Sequence, residues 1–375
     1  MATLPSYFND YLANIRLTAD QNEELKKAHE TLRSLLKADE DLSGSIVATF
    51  LQGSYRRSTA VKPHDGSHAD VDIIVVTSFN KDLITPSEAL SKFVPFMEEH
   101  YKGKYRIQGR SIGIELKTVD LDVVPTAAPS EATKDMFARK DISSFMTIED
   151  FESELTHRSS IGSKAPLLEN SVFSSLFSKT DEQWKNEPLW IPDREAQKWD
   201  RTHPLEQIRW TVNKNRSCNT FYVNVVKAIK WWYKEKYPEI KQPKSYPLEH
   251  FIGDCCPDEI LSVAQGIVET FEVIVKDYPY KPFLQDRGVP EHDVFARITD
   301  EEYHTFYQAV QEYVGLARAA YDEEDVNKSA KAWHDLFGDE FPYSPESSNN
   351  GGPQNNGFTP RHEQSKGVPT GRFAK

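Results

Sequence analysis

The chain of 375 residues is 38% hydrophobic and 27% charged, with a formal net charge of −13. It is long enough for two domains with buried cores, and its acidity opposes the many phosphate contacts by which long nucleic acid is gripped. No apolar run approaches the roughly 20 residues of a membrane span and the N-terminus lacks a basic-then-apolar export signal, so a cytoplasmic protein without a membrane partner is expected. Its three cysteines, Cys218, Cys255 and Cys256, have no C-x-x-C spacing and read as reduced structural thiols.

In chain order, Thr18 and Gln21 form a capping-box pattern that predicts a helix with Leu25, Ala28, Leu32 and Leu35 along one face, bracing both lobes. Strands are predicted at 46–51, 71–77, 111–117 and 119–124, the last ended by Pro125, with a helix over about 86–99. From 127 to about 199 the pattern weakens into a Ser- and charge-rich stretch, read as an irregular insertion with short helices. Helices are then predicted over 221–234, 247–255, 258–275, 300–321 and 324–336. After Phe341 a Ser-, Asn-, Gly- and Pro-rich tail cannot build a core and is expected to be disordered. The organisation is therefore a sheet-bearing unit over 1–200, a helical unit over 201–341 and a tail over 342–375.

Chemistry concentrates between Leu51 and Val76. A Gly-Ser turn at Gly53 and Ser54 precedes a helix expected over 55–61, with the Ser54 hydroxyl as its cap. Free backbone N–H groups at such a start, with the helix dipole, make a seat for phosphates, to which Arg56 and Arg57 would add charge. Asp70 and Asp72 then open the apolar run Ile73-Ile74-Val75-Val76, so a buried strand would point both carboxylates the same way. A neighbouring strand offers Asp120 and Asp122, again on one face, and the residues alone do not choose between them. Hard cations, magnesium or manganese, suit an all-oxygen cluster of this kind. The order and spacing point to metal-dependent phosphate chemistry.

The text "LQGSYRRSTAV…DVDIIVV…VDLDVVPTA", with "VVKAIKWW", "KSYPLEHFIGD" and "WHDLFGDEFP" further on, resembles the polymerase β-like nucleotidyltransferases, in their oligoadenylate-synthase-like branch. Within that branch it is most similar to the bacterial cGAS/DncV-like nucleotidyltransferases of clade D, over about residues 3–340. The resemblance implies an α+β fold, with a nucleotidyltransferase core sheet, a bracing N-terminal helix and a C-terminal helical domain. It also implies synthesis of a cyclic di- or trinucleotide second messenger from ATP, with or without GTP, in anti-phage (CBASS) defence. By the same resemblance Asp70, Asp72 and Asp122 are the catalytic and metal-binding carboxylates, holding two magnesium ions that manganese can replace. Gln52, Gly53, Ser54, Lys230 and Ser245 take nucleotide and its phosphates, and Tyr246 stacks on a base. Asp120 becomes a neighbouring polar residue. Partners implied are nucleoside triphosphates, an effector reached through the diffusible product, and an operon-encoded regulator or conjugation machinery acting on the C-terminal "GRFAK".

Blander readings stand beside these. Lys227 is taken as a solvated, non-functional lysine, Trp231 and Trp232 as packing residues. His64 and His68 are taken as surface histidines, and Asp286 and Asp293 in "QDRGVPEHDVFARIT" receive no role. Two alternative activities remain: transfer making linear or protein- or small-molecule-attached nucleotides, and a catalytically silent nucleotide-binding scaffold.

Overall fold

A computed structural model describes residues 3–64, 66–131, 133–135 and 187–343. The predicted insertion lies largely outside the described residues, and so does the predicted tail with its "GRFAK" ending.

Two helices, not one, open the chain: α1 (Pro5–Ile15) and α2 (Ala19–Ala38). The Thr18 capping box is present and starts α2. Bracing is divided between them. Leu25, Leu32 and Leu36 of α2 enter the sheet's core, whereas Phe8, Tyr11, Leu12 and Ile15 of α1 belong to the core of the helical half.

The sheet runs in the order β1-β2-β5-β4-β3, from β1 (Ile46–Gln52), β2 (Ala69–Thr77), β3 (Tyr105–Ile107), β4 (Ile112–Glu115) and β5 (Val119–Ala127). Only β2 and β5 pair in parallel; β1, β4 and β3 join antiparallel. The expected helix over 86–99 is broken into α4 (Pro86–Ser91) and α5 (Val94–His100), since a proline at 95 cannot sit inside a continuous helix. A one-turn helix, α3 (Gly53–Arg56), follows β1. Pro125 does not end β5. It falls between the last β4 pairing at Val123 and the β6 bridge at Ala127, where a missing N–H removes no ladder bond on that side. Part of the stretch expected to be irregular is a hairpin of β6 (Leu189–Asp193) and β7 (Lys198–Thr202), attached to the end of β5.

The remaining helices are α6 (Pro204–Ser217), α7 (Tyr222–Lys236), α8 (Ser245–Cys255), α9 (Val263–Asp277), α10 (Asp300–Asp322) and α11 (Val326–Phe337). Helix α6 has no counterpart in the sequence reading. Trp232 is fully buried among Phe271, Tyr233, Tyr237 and Tyr313, as its packing role required. Cys218, Cys255 and Cys256 are free and buried. Among the described residues no helix is long and apolar enough to cross a membrane.

Strand alternation positions the site. Val71, Ile73 and Val75 of β2 and Leu121 and Val123 of β5 face the α2 side. Ile74, Val76 and Val124 face the other way and pack with Leu205 and Ile208 of α6. Asp70, Asp72, Asp120 and Asp122 share that second face by the same alternation, just beyond its apolar patch.

Candidate active site

The parallel register sets Asp70 beside Asp120 and Asp72 beside Asp122. Gln52 opposes Asp72 across β1, and Gly113 opposes Asp122 across β4, so Gln52, Asp72, Asp122 and Gly113 form one row across the sheet. Asp120 is already engaged, its Oδ1 lying 3.0 Å from Nδ1 of His68. His68 is thus a partner of the carboxylate array, not an isolated surface histidine.

Gly53 is required here for two reasons. Its φ of +79° lies in the left-handed region, and a Cβ on it would stand 1.8 Å from Asp72 Oδ2. The turn and the carboxylate therefore pack closely, so the Gly-Ser turn and the Asp-x-Asp strand form one unit. The helix that follows is one turn long and starts at Gly53, so Ser54 lies within it and is not its cap; Gln52 holds that position without a side-chain capping bond. Gln52 Nε2 instead donates to Gln207 Oε1 at 2.6 Å, and its buried Oε1 has no partner among the described residues.

Charge crowding dominates the electrostatics. Burial, with Asp70 and Asp122 nearby, pushes Asp72 up to about 7, against a smaller lowering influence of Arg57. Burial and Asp70 also raise Asp122, opposed by Arg106 and by a hydrogen bond from Gln108. A crowded carboxylate row in which Asp72 and Asp122 are both raised offers the oxygen donors that suit a hard divalent cation.

Asp70, Ser54, Lys230 and Ser245 line one cavity of about 500 Å3 between the sheet and the helical half, with His68 and four further lysines, Lys62, Lys234, Lys241 and Lys244. Lys230 donates to the Thr59 carbonyl at 2.8 Å. Burial lowers it to about 8 in spite of Glu249 and Asp70 nearby. Ser245 opens α8, whose start carries no side-chain cap. Lys227, expected in solvent, is fully buried.

Arg57 is committed elsewhere than to phosphate: its Nε donates to Glu249 Oε1 at 2.6 Å, both side chains 3% exposed. Thr59 donates to the other Glu249 oxygen at 2.6 Å. The Arg57 guanidinium also lies 5.1 Å from the centroid of the Tyr246 ring. Tyr246 is outside the cavity lining and turns to the seam, donating to Asp286 Oδ2 at 2.9 Å. Asp286, given no role from sequence, also accepts from Gln207 at 3.1 Å and from the N–H groups of Gly288 and Val289. A polar chain thereby runs from Gln52 through Gln207 and Asp286 to Tyr246. Sequence reading missed Gln207 and Glu249 because neither has a local signal; the lysines of "KQPKSYP" could have been read as a basic approach to Ser245.

A family profile described as "Second Messenger Oligonucleotide or Dinucleotide Synthetase domain" matches residues 1–154. The "Cyclic AMP-AMP-GMP synthase" of Enterobacter hormaechei subsp. hoffmannii (strain UCI 50) is 40% identical over 383 residues, covering 99% of this chain and 100% of that protein. The chain belongs to the bacterial cGAS/DncV-like nucleotidyltransferases. A more distant member, the "Cyclic AMP-AMP-AMP synthase" of Acinetobacter sp. (strain ATCC 27244 / 9458), is 27% identical over 354 residues, 91% of this chain and 86% of that one. Among solved structures, E. coli MS115-1 CdnC with ATP has the same fold, with a TM-score of 0.61, 14% identity and coverage of 91% of this chain and 100% of that chain. By family this cGAS/DncV-like enzyme is a cyclic oligonucleotide synthase, and the α+β fold with a helical C-terminal half agrees with it.

Proposed function

We propose that this chain, a clade D member, joins ATP and GTP into a cyclic trinucleotide of the AMP-AMP-GMP kind, releasing pyrophosphate, in the cytoplasm during anti-phage defence. The observation that carries the reading is the carboxylate row, with Asp70 opening into a lysine-lined cavity. The base composition follows the 40% identity to the cyclic AMP-AMP-GMP synthase against 27% to the all-adenosine one.

In this reading Asp70, Asp72 and Asp122 hold two magnesium ions, for which manganese can substitute. When bound, the ions supply Lewis-acid stabilisation of phosphate charge and a lowered pKa for the attacking ribose hydroxyl. Gly53 lets the chain approach Asp72 and sets the turn. Ser54, Lys230 and the uncapped start of α8 at Ser245 take the donor's outer phosphates. Lys230, held at about 8 by burial, regains full charge beside a triphosphate. Asp122 also accepts the hydroxyl proton, while Tyr246, expected from sequence to stack on a base, is held at the seam by Asp286 and Arg57. Gln52 presents its unpartnered Oε1 to the nucleotide. The linear intermediate is then reseated so that its free end closes the ring. In a solved complex E. coli CdnC is bound to HORMA, and a regulator of comparable kind is part of this proposal.

The test is incubation of purified protein with all four labelled nucleoside triphosphates and magnesium, then phosphatase treatment and mass spectrometry. A resistant product containing two AMP and one GMP, absent from Asp70→Ala/Asp72→Ala, is expected. Linear products alone, from protein supplied with its regulator, would favour simple nucleotidyl transfer and sink the cyclisation reading.

A further inference from the structure

Asp122 stands in the row between Asp72 on β2 and Gly113 on β4. A half-buried carboxylate in such a row is held in one plane only where a neighbouring donor fixes it.

The β3–β4 hairpin supplies it. Gln108 Nε2 donates to Asp122 Oδ1 at 3.0 Å. The amide is oriented in turn, because Ser111 Oγ donates to Gln108 Oε1 at 3.3 Å and so assigns the nitrogen end to Asp122. The Gln108 N–H donates to the Ser111 carbonyl at 2.8 Å, closing the turn that carries both residues. To reach Asp122 the side chain must cross β4, and it does so over Gly113. A Cβ on Gly113 would stand 2.3 Å from Gln108 Nε2 and 3.2 Å from Asp122 Oδ1. Glycine is thus the residue that lets the amide pass to its acceptor. Three features of one hairpin, a donor, its orienter and a gap, converge on one carboxylate oxygen.

We propose that Gln108 is a positioning residue for the reaction, fixing Asp122 through Oδ1 so that the carboxylate is preset to receive a divalent cation. Ser111 and Gly113 are the supports of that arrangement. The inference rests on Asp122 being a metal ligand, as in the function proposed above. Outer-shell partners of ligating carboxylates typically change metal affinity about 10- to 100-fold when lost.

The experiment measures Mn2+ binding to the full chain by electron paramagnetic resonance of the free ion, with a non-hydrolysable ATP analogue present. Wild type, Gln108→Leu, Gly113→Ala and Asp122→Ala are compared, with thermal melts to establish folding. Expected is about a 10-fold weaker Mn2+ affinity in Gln108→Leu, reproduced in Gly113→Ala, whose added methyl displaces the same amide. Under turnover the half-saturating metal concentration should rise by a similar factor while the KM for ATP at saturating metal stays within about two-fold. Wild-type Mn2+ affinity in folded Gln108→Leu, with affinity lost in Asp122→Ala, overturns the positioning role alone. Wild-type affinity in Asp122→Ala overturns both this role and the ligand assignment beneath it.

Discussion

At the scale of single residues, Gly53 and Asp72 act as a contact pair. Gly53→Ala combines an unfavourable positive φ with a methyl 1.8 Å from Asp72 Oδ2, so either turn or carboxylate must move. A displacement near 1 Å at reacting groups costs about 100-fold, and steady-state kinetics should show a kcat loss of that order with a folded protein. Asp72 also sets a pH signature. Its folded value of about 7 lies above the ordinary 3.8, so in metal-free buffer the folded state keeps a proton that the unfolded chain has lost. This group therefore costs stability progressively as pH rises from about 4 to about 7, and in full above that. Asp72→Asn removes the cost: its melting temperature relative to wild type, measured in EDTA, should be more favourable at pH 8 than at pH 5. An offset that does not change with pH would contradict the crowding of charge described here.

Among the elements, α3 and α8 meet across the seam between sheet and helices through Arg57 and Glu249. Breaking a buried pair strands one charge, which typically costs about 3–5 kcal/mol, whereas replacing both partners by apolar residues of similar size is close to neutral. Urea unfolding should accordingly show Arg57→Met and Glu249→Leu each strongly destabilised and the double variant much less so. If the double variant is as unstable as the sum of the singles, the pair is not the coupling that the 2.6 Å contact indicates.

Element by element, the strands that carry the carboxylates were legible because alternation and an apolar run are local signals, and so was the Thr18 cap. Helix limits near Pro95 were misjudged where a proline outweighs periodicity, and Pro125 was tolerated because of a pairing gap that no local pattern records. Lys227 was misplaced for the same reason: burial is a property of neighbours far away in the chain. Gln108 and Glu249 were invisible, since their partners Asp122 and Arg57 lie 14 and 192 residues away.

For the molecule as a whole, a net charge of −13 coexists with five lysines around one cavity. Long-range repulsion of polyanions and a locally basic rim are thereby separated in space. Exposed lysines are screened over a Debye length of about 8 Å at physiological salt, so the KM for ATP should rise between about 50 and about 300 mM salt while kcat changes less. A KM indifferent to salt would show that the lysine rim contributes little to capture.

The aromatic packing of α1 has a temporal consequence. Phe8 and Tyr11 lie against Trp333, Phe337 and Phe341, and Asn14 donates to the carbonyl of Glu340, 326 residues further on. Helix α1 therefore leaves the ribosome long before the residues that complete its seat. At about 5–20 residues per second, tens of seconds of synthesis separate the two ends of that contact. A chain interrupted before Trp333 carries Phe8 and Tyr11 without the aromatic neighbours that α11 and Phe341 supply, although every residue lining the lysine-rimmed cavity has by then been made.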